Sequence, residues 1–143
     1  IINNITWQKT NPPPNLACRC FTHSTETILW AKKNDKKSRH FFNYEKMKEE
    51  NGGKQMKDVW TGALTKPSEK TEGKHPTQKP EYLLERIVLA STEEGQVILD
   101  PFCGSGTTGV EALRLGRKFI GVDVSEEYLQ ISKRRLEKTA NDK

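Results

Sequence analysis

Residues 96–123 read QVILDPFCGSGTTGVEALRLGRKFIGVD, and this stretch decides the fold. Q-V-I-L-D is a short apolar run closed by an acid, Asp100, and reads as a buried-type strand. Three glycines follow, Gly104, Gly106 and Gly109, separated by small hydroxyl residues. T-T-G-V-E-A-L-R-L-G then reads as a helix closed by Gly116. K-F-I-G-V-D is a second strand, and it also ends in an acid, Asp123. Strand, glycine turn, helix and strand in this order imply a parallel α/β layer. A glycine turn between strand and helix lets backbone N–H groups face a ligand at the carboxyl edge of the sheet.

The pattern extends both ways. Downstream, S-E-E-Y-L-Q-I-S-K-R-R-L-E-K predicts a helix with Ser125 as N-cap, acids in its first turn and bases in its last. Upstream, K-P-E-Y-L-L-E-R-I-V-L-A-S places apolar residues at 83, 84, 87, 88 and 90, one helix face, with Pro80 in the first turn. Residues 76–138 therefore read helix, strand, helix, strand, helix. Residues 1–9 and 26–32 are β-prone and read as two neighbouring antiparallel strands. K-T-N-P-P-P-N between them is an irregular loop, because consecutive prolines remove donors and fix φ. Residues 33–74 are polar, rich in lysine and without a sustained period, a pattern that leaves room for short helices.

The chain has 143 residues, 33% hydrophobic and 30% charged, with a net charge of +5, which is one domain's worth of core. No apolar run is long enough to span a bilayer, and no signal-peptide pattern is present. Cys18, Cys20 and Cys103 make an odd set, so reduced thiols and an intracellular, cytoplasmic setting are expected. Cys18-x-Cys20 with His23 lacks a fourth ligand and the usual Cys-x2-Cys spacing, so no metal is expected. The charge is uneven. Residues 31–75 carry twelve Lys/Arg and seven Asp/Glu, and the rest of the chain carries twelve of each. Lys32, Lys33, Lys36, Lys37 and Arg39 cluster just before Phe41, Phe42 and Tyr44. Bases for phosphates beside aromatics for bases describe a nucleic-acid surface. A solvated loop anchored by its phenylalanines has the same composition, and composition alone leaves the two level.

The acids discriminate between ligands for the turn. Gly104-x-Gly106-x-x-Gly109 fits the dinucleotide fingerprint. A dinucleotide sets a doubly anionic pyrophosphate against such a turn. Asp100 would oppose it at a cost on the order of 1 kcal/mol or more when partly buried. S-adenosylmethionine brings an ammonium and a sulfonium, which that carboxylate attracts. It also brings a ribose for Asp123 and an adenine for apolar neighbours. Its carboxylate then meets the helix start near Thr77, Gln78 and Lys79.

H-P-T-Q-K-P (75–80), the stretch from Ile98 to Leu136, and the upstream I-T-W-Q-K-T-N-P-P-P-N with F-T-H-S-T-E-T-I-L-W-A-K-K together resemble a β-class DNA amino-methyltransferase, specific for adenine N6 or cytosine N4. The resemblance covers nearly the whole chain. It implies a partial Rossmann-like, S-adenosylmethionine-dependent methyltransferase fold, an α/β mixed sheet with helices on its faces. It implies a single incomplete domain over 1–143, with a target-recognition insert at 33–74 and a cofactor-binding part at 75–143. Asp100, Pro101, Phe102, Cys103, Gly104, Ser105, Gly106 and Thr107 then form the cofactor loop. Asp123, with Val124 beside it, is similar to the family's ribose-binding acid. Thr77, Gln78 and Lys79 match the motif that closes over the methionine end. Lys32, Lys33, Lys36, Lys37 and Arg39 fall in the target-recognition position, toward double-stranded DNA, in a restriction-modification setting. Adenine is expected ahead of cytosine.

One part of the family pattern is missing. The chemistry rests on Asp/Asn/Ser-Pro-Pro followed by an aromatic, which holds and stacks on a flipped base. Asn11-Pro12-Pro13-Pro14 puts a proline where the aromatic belongs, so no catalytic residue is assigned. The motif is expected on a segment preceding Ile1 or on a second chain. The chain alone is then expected to be inactive, and to be marginally stable or to associate, a homodimer being one form. Two rivals stand: an NAD-binding domain, and a DNA-binding remnant without catalysis. Cys103 is expected to line the turn as a small residue, since direct transfer needs no covalent cysteine.

Overall fold

A computed structural model describes residues 1–34 and 36–142. The chain divides into two compact units, one of residues 1–40 and 48–64, the other of residues 41–47 and 65–143.

The first unit is built on β1 (Asn3–Lys9), β2 (Thr25–Trp30) and β3 (Val59–Gly62). β1 lies in the middle, antiparallel to β2 and parallel to β3. Alternation along β1 buries Ile5, Trp7 and Lys9 on one face. Trp7 is 1% exposed and stands in register with Trp60 of β3. The Trp60 indole N–H donates to the Lys57 carbonyl (2.9 Å), so its burial leaves no orphaned donor. The Lys9 ammonium pairs with Glu26 of β2 at 3.3 Å. The predicted antiparallel pair is therefore present. The third strand went unpredicted, and residues 33–74 hold more order than their composition suggests. They contain α1 (Tyr44–Glu50), β3 and a 3-10 turn (Pro67–Lys70).

The second unit contains α2 (Glu81–Ser91), β4 (Val97–Asp100), α3 (Thr107–Arg114), β5 (Lys118–Gly121) and α4 (Glu126–Asn141). The predicted order holds, and β4 and β5 pair in parallel with Val97 opposite Lys118 and Asp100 opposite Gly121. Pro80 stands one position earlier than expected. It is the N-cap of α2, in an extended conformation, and not a residue of the first turn. Ser125 caps α4 as expected, its hydroxyl accepting from the Tyr128 N–H. α3 is central and packs on α2, α4 and β5. Leu83, Val88, Val110, Ala112 and Ile131 make its core, each contributing about 1–3 kcal/mol by burial. Gly109 allows the close approach, since a Cβ there would stand 2.5 Å from the Phe119 ring and 2.7 Å from Leu136.

The reading of Q-V-I-L-D as a buried strand is corrected. Val97 is 58% exposed and Leu99 61% exposed, beside the equally open Ile120 and Val122. Ile98, Phe119 and Gly121 alternate with them on the better-covered face. Local sequence specified a strand apolar on both faces, and the described residues cover only one of them. Among the described residues, no helix is long and apolar enough to cross a membrane.

Candidate functional site

The turn between β4 and α3 is held by two carboxylates and a guanidinium. Asp100 closes β4. One oxygen of its carboxylate accepts the Phe102 N–H (3.1 Å) and the other the Thr108 hydroxyl (2.7 Å), so it pins the entrance of the turn to the first turn of α3. Gly104 and Gly106 take left-handed φ values of 51° and 77°, which bring the chain around tightly. The Gly106 N–H donates to the Cys103 carbonyl at 2.8 Å, and the Cys103 N–H to Val122 beyond β5 at 2.9 Å.

Asp123 follows β5. Its two oxygens accept the Gly104 N–H and the Ser125 N–H, both at 2.9 Å. The backbone N–H groups of Ser125 and then Gly104 hold its carboxyl below the usual carboxylate range. Asp123 therefore ties the glycine turn to the start of α4, a structural role that the motif did not disclose. Each of its oxygens keeps further acceptor capacity.

Of the predicted turn residues, Cys103, Gly104, Ser105, Gly106 and Thr107 are buried, while Pro101 and Phe102 are exposed. Phe102 is 86% exposed and Val124 fully so, which leaves two apolar side chains in solvent at the carboxyl ends of adjacent strands. Burial, and then the nearby Asp100 and Asp123 carboxylates, push the Cys103 thiol up, away from nucleophilic thiolate.

The H-P-T-Q-K-P segment meets the turn through His75. The imidazole packs on Gly104, where a Cβ would stand 2.9 Å from Nε2, and lies 4.2 Å from the Tyr128 ring. Desolvation lowers the His75 pKa, and its Nδ1 accepts the Thr77 N–H at 3.3 Å. Thr77 is exposed and Gln78 is 7% exposed. The Gln78 amide nitrogen donates to the Glu69 carbonyl at 2.7 Å, which leaves Oε1 buried without a partner. Among the described residues it is the one such side-chain atom. The one unbonded polar atom of Gln78 is therefore a buried acceptor. Lys79 is half-buried beside it.

The sequence reading missed an ionic chain with two buried members, Arg135 and Glu111. Arg135 of α4, 5% exposed, donates to the Ser105 carbonyl (2.9 Å), the Ser105 hydroxyl (3.3 Å) and the Thr107 hydroxyl (2.9 Å). Its other terminal nitrogen pairs with Glu81 at 3.1 Å. The second Glu81 oxygen takes Arg114, which also bonds Glu111 at 2.7 Å. Burial pushes the Glu111 carboxyl up to about 7 against the pull of Arg114. In a sequence, Arg134-Arg135 reads as surface charge. The one signal that could have separated them was helical phase, which sets the two about 100° apart.

In the first unit, Lys32, Lys33, Lys36, Lys37 and Arg39 are all exposed, on the loop after β2. The Lys32 ammonium donates to the Ser38 carbonyl (3.1 Å) and the Ser38 hydroxyl to the Lys33 carbonyl (2.7 Å), which folds the loop back on itself. His40 stands edge-on to Trp30 at 5.5 Å. Cys18 and Cys20 are exposed, with Asn15 bonded to the Cys20 sulfur.

The chain is similar to known proteins. The DNA methylase family profile matches residues 1–134. The type II methyltransferase M2.LlaDCHI of Lactococcus lactis subsp. cremoris is 77% identical over 140 residues, 98% of this chain and 52% of that protein. M2.DpnII of Streptococcus pneumoniae is 76% identical over 137 residues, 96% of this chain and 51% of that protein. Among solved structures, the M1.HpyAVI–SAM complex matches with a TM-score of 0.75 at 36% identity, covering 94% of this chain and 61% of that one. The chain thus spans about half the length of the curated relatives it matches. Its motif order is that of the β-class amino-methyltransferases, and the chain belongs to the DNA methylase family.

Proposed function

We propose that this chain is the cofactor-binding and target-recognition part of an S-adenosylmethionine-dependent DNA amino-methyltransferase. The observation that carries the reading is the glycine turn with a carboxylate at each strand end, Asp100 and Asp123. Two anionic groups at the mouth of a turn suit a cationic ligand and oppose a pyrophosphate.

The residues fit that cofactor. Asp123 keeps acceptor capacity for ribose hydroxyls, and the exposed Phe102 and Val124 offer apolar surface to an adenine ring. The orphaned Gln78 Oε1 and the Asp100 charge suit an ammonium and a sulfonium. The Thr77 hydroxyl and Lys79 ammonium are the donors for the carboxylate end. Pro101 and Cys103 shape the turn, and Gly104 to Thr107 bring its backbone to the ligand. The chemistry the cofactor supplies when bound is an electrophilic methyl group on sulfur. Within this reading residues 75–143 serve the cofactor and residues 33–74 the DNA, with adenine N6 the expected acceptor ahead of cytosine N4. The open apolar face of β4 and β5 is where the remainder of the enzyme packs, on the same or another chain.

Calorimetric titration tests the cofactor assignment. S-adenosylmethionine is expected to bind one-to-one, and Asp123→Ala to weaken it roughly ten- to hundredfold, the scale of hydrogen bonds to a charged group. Unchanged affinity in that variant would remove the ribose role.

The DNA assignment is read from salt. Replacing Lys32, Lys33, Lys36 and Lys37 together with glutamine is expected to flatten the slope of log affinity against log salt, by up to about 0.9 for each phosphate no longer neutralised. An identical slope would return the cluster to an ordinary solvated loop.

A further inference from the structure

Arg135 is an expensive residue to bury, and stability alone does not account for it. A guanidinium taken out of water loses several kcal/mol of solvation, and a well-packed apolar side chain of similar volume often serves stability as well or better. What only a guanidinium supplies is its fork of fixed donors. Here one terminal nitrogen reaches three acceptors on two residues of the glycine turn, and the other reaches Glu81. Ser105, Thr107 and Arg135 are 3%, 5% and 5% exposed, so these bonds lie on the buried side of the turn.

Glu81 is the other end of the link. It is the first residue after H-P-T-Q-K-P and the first of α2. Its backbone N–H donates to the Glu69 carboxylate at 2.9 Å, while the Glu69 carbonyl accepts from Gln78. Its side chain joins Arg135 to Arg114. The turn and the residue that follows the H-P-T-Q-K-P segment are therefore joined by one partly buried ion pair.

We propose that Arg135 is the positioning residue of the glycine turn, oriented by Glu81, and that this pair holds the turn in its ligand-ready arrangement in register with the H-P-T-Q-K-P segment. The inference rests on the reading of the turn as an S-adenosylmethionine site. Arg135 acts without touching the ligand. A turn already held in place loses less freedom on binding, so affinity depends on the pair.

The test compares the 143-residue chain with Arg135→Lys, Glu81→Gln and the double variant, each at a temperature well below its own melting. Lysine keeps the charge but is a single point donor, and is expected to weaken S-adenosylmethionine binding about tenfold. Glu81→Gln, which keeps an acceptor and the side-chain shape, is expected to weaken it several-fold. The double variant is expected to bind no more weakly than Arg135→Lys alone, because Glu81 works through Arg135. Leu83→Ala, a core deletion on α2, is the control for reduced stability and is expected to leave the affinity of the folded protein unchanged. Amide hydrogen exchange without ligand is the independent readout: in Arg135→Lys, the amides of residues 104–107 are expected to exchange faster than in the wild type. Wild-type affinity and wild-type exchange in Arg135→Lys, or effects that simply add in the double variant, would overturn the proposal. Failure of the wild type to bind S-adenosylmethionine would defeat the cofactor reading instead, and exchange would still decide whether Arg135 holds the turn.

Discussion

Gly106→Ala is expected to destabilise the unit of residues 41–47 and 65–143 by about 2–5 kcal/mol and to abolish ligand binding at the turn. Two costs combine. Gly106 stands at φ 77°, in the left-handed region, where an L side chain costs about 1–2 kcal/mol. A Cβ there would also run into the Ser132 hydroxyl, and would stand 2.9 Å from Ser132 Cβ and 3.1 Å from its Cα. The hydroxyl can rotate away, but the Cα belongs to the backbone of α4, so the helix or the turn must shift, and overpacking of this kind costs about 1–3 kcal/mol. Gly95 provides the comparison. Its φ is 81°, and a Cβ there meets nothing within 4 Å. Gly95→Ala should therefore show only the backbone cost. Denaturant unfolding followed by far-UV circular dichroism checks both. Tryptophan fluorescence does not suit, because Trp7, Trp30 and Trp60 all lie in the other unit. Equal stability of the two variants would mean that the close packing of Gly106 on Ser132 has no energetic weight.

The second expectation is that residues 1–143 alone transfer no methyl group to duplex DNA. An exocyclic amine on a base shares its lone pair with the ring and is a poor nucleophile. Transfer needs acceptors aimed at its N–H groups and a stacked aromatic that hold it within about 3–3.5 Å of the methyl carbon. Asn11-Pro12-Pro13-Pro14 supplies neither in full. Proline has no π face, and the Asn11 side-chain oxygen is already bonded to the Leu64 N–H at 2.8 Å. The one amide acceptor of that tetrapeptide is thus committed to holding the chain after β1 to the chain after β3. Val97, Leu99, Ile120 and Val122 also form an apolar face that the described residues leave open.

Most of the second unit was legible because its signals are local. A strand ending in acid, glycines at a turn and Ser125 before two glutamates each act within a few residues. The parts that were not legible depend on distant ones. Val59–Gly62 is only four residues, and its identity as a strand comes from pairing with Thr6–Lys9 more than fifty positions away. Exposure of Val97 and Leu99 depends on what lies across the sheet, which their own sequence cannot encode. Asp100 and Asp123 stood out in the sequence as the acids that close two strands. That both also build the turn, through Thr108, Gly104 and Ser125, emerges only once three segments are brought together. Arg135 was missed for a similar reason: its partners Ser105 and Glu81 lie 30 and 54 positions away.

The most direct measurement is transfer of tritium from labelled S-adenosylmethionine to duplex DNA, followed by chromatography of the nucleosides. It is made with residues 1–143 alone and with the same chain joined to the complementary half of M2.DpnII, of which it covers 51%. No transfer by the chain alone, and label in N6-methyladenine once the halves are joined, is the result expected; label in N4-methylcytosine would keep the function and change the base. Transfer by residues 1–143 alone, or none by a joined protein that binds both S-adenosylmethionine and DNA, would contradict the account.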